Sequence, residues 1–245
     1  MAGHSHWANI KHKKARVDAK RAKVWGKIAK KIMVAAKGGS DPTDNLALRY
    51  VIDEAKAANM PKGTIENAVA KGAGELGGQT FEEIVYEGYG PNGVAILLEI
   101  LTDNRNRTAG EIRNLFDRNG GNLATSGSVA FQFQKKGIIA VETDKAEEEQ
   151  LMELALEAGA EDVVNEGEIY EIVTEPSAYV PVKDALAAAD IEVADAELKN
   201  VPDTTVELDI ESAKKVVKLI DLFDDQDDVQ TVSHNAEIPE EALAS

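Results

Sequence analysis

The chain has 245 residues, and 44 acidic against 27 basic side chains give it a formal net charge of −17 at neutral pH. This length accommodates about two or three domains with cores of their own. The absence of cysteine excludes disulfides, thiolate metal sites and cysteine nucleophiles. No apolar run reaches about eighteen residues and the N-terminus lacks the apolar stretch of a signal peptide, so we predict a cytoplasmic protein without a membrane partner.

Charge is divided unevenly along the chain. Residues 1–75 carry 15 basic and 7 acidic side chains, whereas residues 76–245 carry 12 basic and 37 acidic ones. The first segment therefore has a formal charge of +8 and the remainder −25. Because an acidic body repels phosphate, a polyanion should bind the N-terminal segment in a defined orientation.

The basic residues of the N-terminal segment are also arranged in space. If residues 13–37 form one helix, seven of its basic residues fall within an arc of roughly 100° around the helix axis. A neighbouring arc holds apolar residues, among them Trp25, Ile28 and Ile32, and predicts a buried face. Lys14 and Arg21 fall on the apolar arc, either because the helix is shorter or because their side chains extend to solvent. We call the seven residues the basic stripe: Lys13, Arg16, Lys20, Lys23, Lys27, Lys30 and Lys31.

Asp18 is the single acidic residue among the first forty. A solvated helix normally interleaves acids with its bases, and this one does not. A polyanion would relieve the repulsion within the basic stripe, which predicts a nucleic-acid partner. Lysine contacts phosphate without reading bases, so binding should tolerate many sequences. An anionic membrane surface is the alternative, and the acidic body argues against it.

Residues 1–12 show no periodicity and are predicted to form an arm that a partner orders. Its histidines, His4, His6 and His12, lack the cysteine or carboxylate ligands of a metal site and are expected to contact phosphate or a base. Trp7 is expected to stack either on an unpaired base or on the helical bundle.

Three helices are predicted in residues 1–75. Gly38-Gly39 ends the first helix. Asp41-Pro42 opens the second, with the aspartate as its cap. Thr64 caps the third, which closes at Gly72.

From Phe81 the apolar period changes to two, which predicts strands. FEEIVYEGYG and GVAILLEILTD form a hairpin through Pro91-Asn92-Gly93. A helix over 108–119 and a strand SVAFQFQ follow. The order after these is β-α-β-β-α-β, the pattern of a ferredoxin-like sandwich. A final strand, a helix over 210–222 and a last strand are too few for a domain, so we expect them to join the preceding hairpin and helix.

The predicted fold class is therefore α+β with several domains. These are an N-terminal basic three-helix bundle (1–75), a discontinuous middle α/β domain (79–135 plus 203–238) and an inserted ferredoxin-like α/β domain (136–202).

No residue pattern indicates catalysis, a cofactor, a metal or a small-molecule substrate, and we predict a non-enzymatic protein. Two G-x-G-x-x-G matches, beginning at Gly72 and Gly88, lack the strand-then-helix context of a dinucleotide site. The acidic residues over 224–228 lack the glycine and glutamate of a calcium loop and are interpreted as a solvated turn.

The polar segment TDNRNRT, residues 102–108, places two arginines in the acidic body. Arg105 and Arg107 either cap a helix and pair with neighbouring acids or extend the nucleic-acid surface. The full candidate set for nucleic-acid binding is His4, His6, Trp7, Lys11, His12, Lys13, Lys14, Arg16, Lys20, Arg21, Lys23, Lys27, Lys30, Lys31, Arg105 and Arg107.

Several long motifs follow one another along the chain: MAGHSHWANIKHKKARVDAKRAK, AKAANMPKGTIENAVAKG, EGYGPNG, and TDNRNRTAGEIRNLFDRNGGNL followed by GSVAFQF. In this order they resemble the YebC family, which includes the mitochondrial translational activator of cytochrome c oxidase. His6 stands where the family usually has lysine, and Gly26 where it usually has a hydroxyl-bearing residue.

The resemblance implies three domains and no catalysis. It also implies a regulator of gene expression, of the kind labelled probable DNA-binding transcriptional regulators. The alternative that it leaves open is a ribosome-associated, RNA-binding translation factor that relieves stalling. The expected partner is accordingly duplex DNA or ribosomal RNA, the latter within the ribosome.

Overall fold

The computed structural model describes residues 21–77 and 80–243, and it confirms the α+β class. The helices are α1 (Arg21–Ala35), α2 (Leu46–Ala57), α3 (Lys62–Gly72), α4 (Arg105–Arg118), α5 (Glu148–Glu157), α6 (Tyr179–Ala188), α7 (Ile210–Asp224) and α8 (Glu240–Leu243). The strands are β1 (Glu82–Tyr89), β2 (Ala95–Thr102), β3 (Asn122–Leu123), β4 (Phe133–Glu142), β5 (Ala160–Asn165), β6 (Ile169–Thr174), β7 (Asp195–Pro202), β8 (Val206–Glu207), β9 (Val229–His234) and β10 (Ala236–Glu237).

Helices α1, α2 and α3 pack as a bundle around one apolar core. Ile28 and Ile32 of α1 are buried against Leu48 of α2 and Ile65 of α3, so the predicted buried face of the first helix is confirmed. Trp25 packs at the side of this core and donates its indole N–H to the carbonyl oxygen of Ala58 at 3.0 Å.

The second helix begins later than the prediction placed it. Its N-cap is Asn45, whose Oδ1 accepts the backbone N–H of Leu48 at 3.1 Å. The amide of Asn45 also donates to the carbonyl oxygens of Ala35 and Gly39, which ties the loop to the end of α1. Asp41 instead accepts hydrogen bonds from Thr43, and this closes a turn before the helix rather than the helix itself.

Two glycines of the bundle have opposite surroundings. A Cβ added to Gly26, on the exposed face of α1, would meet no atom within 4 Å. A Cβ added to Gly72, at the end of α3, would lie 2.4 Å from the carbonyl oxygen of Met33 in α1. Gly72 therefore permits the close approach of two helices, whereas Gly26 only weakens one.

We expect Gly26→Ala to stabilise the bundle by about 0.5–1 kcal/mol through helix propensity. Gly72→Ala should destabilise it by about 1–3 kcal/mol, because the backbones must move apart. The chain has two tryptophans, Trp7 and Trp25, so tryptophan fluorescence during urea unfolding reports on this region. Shifts of equal sign in the two variants would contradict the expectation.

The second structural unit is built on an antiparallel sheet in the order β3-β1-β2-β9. Helices α4 and α7 cover one face, where Phe116 and Phe223 meet with ring centroids 4.7 Å apart. Strand β9 comes from the C-terminal part of the chain and pairs with β2, for example His234 opposite Ile96. The last long strand thus shares a sheet with the hairpin β1-β2.

The prediction of a strand at SVAFQFQ was wrong. Residues 124–132 form a loop with a short 3-10 turn at Ala130–Gln132, and Val129 packs against Ala95 and Leu97 on the sheet face opposite α4. This crossing buries Val129, whereas Phe131 is 73% exposed. Pairing begins only at Phe133, where β4 enters the next sheet.

The third unit is an antiparallel sheet in the order β5-β6-β4-β7 with α5 and α6 packed on one face. With the chain order β4-α5-β5-β6-α6-β7, this is the ferredoxin-like arrangement, as predicted. Ile139, Ile172, Leu151 and Val182 are fully buried in its core.

Candidate nucleic-acid interface and the acidic turn

The described part of the basic stripe lies on α1 and consists of Lys23, Lys27, Lys30 and Lys31. All four are half-buried, and each amine contacts an oxygen of the chain itself. Lys31 binds Glu54 of α2 at 2.8 Å within the bundle. The other three point away from the bundle core toward one segment of the middle domain.

That segment is residues 224–228, which we call the acidic turn. It contains four aspartates in five residues and begins at the C-terminus of α7. Lys27 donates to the carbonyl oxygen of Asp224 at 2.8 Å, and Lys23 donates to that of Asp225. These carbonyls form the end of α7, where the aligned peptide dipoles place partial negative charge.

Lys30 makes the most buried of these contacts. It donates to the carbonyl oxygen of Asp227 at 2.8 Å and to Oδ1 of Asp228 at 2.7 Å. Its amine also lies 5.7 Å from the centroid of the Phe81 ring, within the range of a cation–π contact.

Asp228 joins three elements through one carboxylate. Its Oδ2 accepts hydrogen bonds from Thr108 at 2.7 Å, Arg107 at 2.8 Å and Thr102 at 3.1 Å, while Oδ1 binds Lys30. The residue is only 6% exposed. Burial alone would raise the pKa of this carboxyl, but the hydrogen bonds from Lys30, Arg107 and Thr108 outweigh it and hold the pKa well below its ordinary value.

The interpretation of residues 224–228 as a solvated turn was therefore wrong. The turn is covered on one side by α1 and anchored through Asp228 beneath it. Its charge had suggested exposure, but positive residues far away in sequence compensate that charge. Asp227 keeps the expected exposure, with 81% of its side chain accessible and a 3.7 Å ion pair to Lys23.

The two arginines of TDNRNRT differ. Helix α4 begins at Arg105 rather than at Thr108, because the side chain of Asn104 caps it by accepting the N–H of Arg107 at 3.1 Å. Arg107 pairs with Asp103 at 2.9 Å and with Asp228. Arg105 is exposed, and its guanidinium has no ion-pair partner among the described residues.

A polar cleft of about 400 Å³ opens where α1, α4 and the acidic turn meet. Lys23, Lys30 and Arg107 line it together with Asp227 and Asp228. Because α1 contributes the lysines and residues 81–228 contribute the rest of the lining, the cleft lies at the interface between the bundle and the middle domain.

Ten further candidate residues precede Lys23 in the chain. Arg21 is the first residue of α1, and nothing is described of its side chain. The others lie outside the described residues: His4, His6, Trp7, Lys11, His12, Lys13, Lys14, Arg16 and Lys20.

Sequence reasoning missed a second buried carboxylate, Glu87 of the EGYGPNG motif. It is 3% exposed and accepts the backbone N–H groups of Gly127 at 2.6 Å, Val129 at 2.7 Å and Ala130 at 2.8 Å. Burial acts to raise the pKa of Glu87, but these hydrogen bonds prevail and lower it. The sequence offered one signal for this role: Glu87 is the single charged residue of a glycine-rich motif.

The rest of EGYGPNG also serves packing. A Cβ on Gly88 would lie 2.4 Å from the Phe116 ring, so only glycine fits there without displacement of the ring. Asn92 has a positive φ of 60° and donates its amide N–H to the hydroxyl of Ser212 at 2.9 Å, which fixes the hairpin to the start of α7.

A search of residues 21–77 and 80–243 finds no cluster of three or more histidine, aspartate or glutamate residues that could hold a metal ion. Within the same ranges, no helix is both long enough and apolar enough to cross a membrane.

These features define an α+β protein in which a lysine-rich helical bundle is docked on an acidic body of two further α/β units. The chain belongs to the TACO1/YebC family. Residues 5–75 match the family model for the TACO1/YebC protein N-terminal domain, and residues 81–236 match that for the TACO1/YebC second and third domain.

Curated relatives match over almost the whole chain. A protein of Persephonella marina is 53% identical over 99% of this chain and 98% of its own length. One from Treponema pallidum strain Nichols is 52% identical over 99% and 100%, respectively. Both are named probable transcriptional regulatory protein. The crystal structure of a conserved hypothetical protein from Aquifex aeolicus is similar with a TM-score of 0.85 and 47% identity, over 96% of this chain and 97% of that one.

Proposed function

We propose that this protein is a non-enzymatic regulator of gene expression that binds nucleic acid through its N-terminal basic segment. The names of its relatives favour regulation of transcription. The observation that carries the nucleic-acid proposal is the way α1 presents its lysines. Lys23, Lys27 and Lys30 follow one another along one helix face, and the amines of all three contact oxygens of a single anionic segment, residues 224–228.

This geometry suits a phosphate backbone. The spacing of four and three residues aligns one amine with each helical turn, about 5 Å apart along the axis. The contacts are to backbone carbonyls and carboxylates, so they depend on charge and not on a particular side-chain shape. Lysine binds phosphate in the same way, as a point charge without base recognition. We therefore propose binding with little dependence on base sequence.

The proposed binding surface begins with residues 4–20 and continues along α1. In the described part of the stripe, Lys23, Lys27 and Lys30 contact the acidic turn. Lys31 contacts Glu54, and the five basic residues before Arg21 add positive charge for a polyanion. Arg105, exposed at the start of α4, is the candidate from the acidic body that we retain for this surface. Arg107 is proposed to position the domain junction.

The test replaces five basic residues of the segment by glutamine: Lys11, Lys13, Lys14, Arg16 and Lys20. Affinity for a mixed-sequence duplex DNA and for single-stranded RNA is then measured by fluorescence anisotropy across a salt series. We expect about a hundredfold loss at moderate salt, and a salt slope smaller by about 0.9 for each lost contact to duplex DNA.

A control variant removes three positive charges from another part of the chain. Lys214, Lys215 and Lys218 lie exposed on α7 and have no partner among the described residues. Their replacement by glutamine should leave affinity within about twofold, since they lie outside the proposed surface. Equal losses in both variants would show that net charge, and not the segment, governs binding.

Co-sedimentation with ribosomes distinguishes between duplex DNA and ribosomal RNA as the partner of this surface. Retention on ribosomes at salt concentrations that already release duplex DNA would favour a translation factor. Tighter retention on DNA, above all with competition by one sequence, would support the transcriptional role.

A further inference from the structure

We propose that the acidic turn is an internal competitor for nucleic acid: it occupies Lys23, Lys27 and Lys30 of α1 until a polyanion displaces it. This inference rests on the proposed function, because it concerns the regulation of the same basic surface. It adds that binding must release the N-terminal bundle from the middle domain.

The first support is that the competing contacts use the same atoms. The amines of Lys27 and Lys30 reach oxygens of residues 224–228 at 2.7–2.8 Å, and Lys23 binds there too. An amine at that distance has exchanged much of its hydration for the turn. These lysines cannot contact phosphate while the turn remains in place.

The second support is the chemical likeness of the turn to a phosphate chain. It presents four carboxylates in five residues together with the carbonyl oxygens at the negative end of α7. A short segment of high negative charge density is the feature that a lysine stripe recognises in nucleic acid.

The third support is that the edge of the contact, where Lys23 meets Asp227, is open to solvent and weak. The side chain of Lys23 is 29% exposed and that of its partner Asp227 is 81% exposed. Exposed pairs of this kind are screened by salt and contribute little one by one. The polar cleft gives solvent, and hence a polyanion, a path to the contact. The turn can therefore be displaced without unfolding.

We call a molecule closed when the acidic turn contacts the three lysines, and open when the turn is displaced. The apparent affinity for nucleic acid is that of the open form multiplied by the fraction of molecules that are open. If nine molecules in ten are closed, the apparent affinity for nucleic acid is about tenfold below that of the open form. Weakening the turn while keeping the lysines should recover this factor.

The test combines Asp224→Asn, Asp225→Asn and Asp227→Asn, with Asp228 left intact as the anchor of the middle domain. Loss of negative charge at the C-terminus of α7 should not weaken that helix, because its dipole is negative there. Affinity for the same fluorescent duplex DNA and single-stranded RNA should rise about threefold to fivefold. The rise stays below tenfold because the substitutions remove carboxylate charge but keep the backbone carbonyl acceptors of Lys23 and Lys27. In the background of Lys23→Gln and Lys27→Gln, the same three changes should give less than about a twofold rise.

A matched control separates competition from long-range repulsion. Glu147, Glu149 and Glu153 are exposed on or beside α5, and their replacement by glutamine removes the same charge from the acidic body. If this control raises affinity as much as the three turn variants, or if the gain survives without the two lysines, the competitor proposal is overturned. No gain in the turn variants overturns it as well, although nucleic-acid binding by the unmodified chain would leave the proposed function standing. If the unmodified chain binds neither DNA nor RNA, both proposals fail.

A distance measurement tests the release directly. The chain has no cysteine, so spin labels can be attached at Asp44→Cys in the bundle and Lys214→Cys on α7, both exposed positions. Pulsed electron resonance should show a longer and broader distance distribution once duplex DNA or RNA saturates the protein. An unchanged distribution at saturation would contradict displacement of the turn.

Discussion

Asp228→Ala should lower the free energy of unfolding by about 3 kcal/mol, the low end of the cost of breaking a buried ion pair. The carboxylate accepts hydrogen bonds from four side chains, two of them cationic. Its removal leaves the buried hydroxyls of Thr102 and Thr108 without this acceptor and removes the counter-charge of Lys30 and Arg107. The cost stays below the upper end because the side chain of Arg107 is 45% exposed and can be hydrated.

The neighbouring residue supplies the control. Asp227→Ala removes an equal charge one position away, but its carboxylate is exposed and its ion pair to Lys23 is long. We expect a change within about 0.5 kcal/mol. Urea unfolding followed by circular dichroism measures both variants, and similar values for the two would show that Asp228 does not anchor the junction.

Acidification should remove the stabilising contribution of the Asp228 carboxylate. Because the pKa of Asp228 is lowered on folding, the ionised carboxylate stabilises the native state at any pH above its unfolded-state pKa of about 4. This stabilisation is lost progressively as the pH falls from there toward the folded-state pKa. The stability difference between the unmodified chain and Asp228→Asn should therefore be constant above about pH 5 and shrink below pH 4.

Glu87→Ala should have the second large effect and lower the free energy of unfolding by about 3 kcal/mol. It leaves the N–H groups of Gly127, Val129 and Ala130 without their acceptor beneath a loop, and an unsatisfied buried donor costs about 1–3 kcal/mol before relaxation. Glu87→Gln should recover only part, because an amide has one acceptor oxygen where the carboxylate uses two. Hydrogen exchange should show faster exchange at these three amides, since the loop opens locally.

Glu83→Ala is the matched control for this prediction. Glu83 lies four residues before Glu87 on β1 and on the same face of the strand, but its side chain is exposed. Its replacement should leave exchange of the 127–130 amides unchanged. Loss of protection in both variants would mean that the strand, and not the carboxylate, holds the loop.

Helix and strand existence could be predicted well from local pattern, whereas helix starts could not. Helices α2 and α4 begin directly after Asn45 and Asn104, each of which caps its helix by accepting the N–H of the residue three positions later. Several polar residues near each start could have served as the cap. The choice depended on loop contacts such as those of Asn45 with Ala35 and Gly39.

The segment SVAFQFQ shows a different limit. Its alternation fits a strand, yet Val129 and its neighbours cross over the sheet because Glu87 binds their backbone N–H groups. Those N–H groups would otherwise have been available for strand pairing. A buried acceptor from forty residues away thus replaced the ladder that the local pattern implied.

The sequence by itself determined the class of fold and the concentration of positive charge in the first 75 residues, because composition and periodicity act over short distances along the chain. Its long motifs indicated the family. It also placed Lys23, Lys27 and Lys30 on one helix face, for which it predicted nucleic acid as the partner. Only the tertiary structure decided that these lysines contact residues 224–228, about two hundred positions away. The reason is physical: an ion pair depends on the distance between charges in space, and the pairing of Lys30 with Asp228 exists only after α1 has docked beside the end of α7.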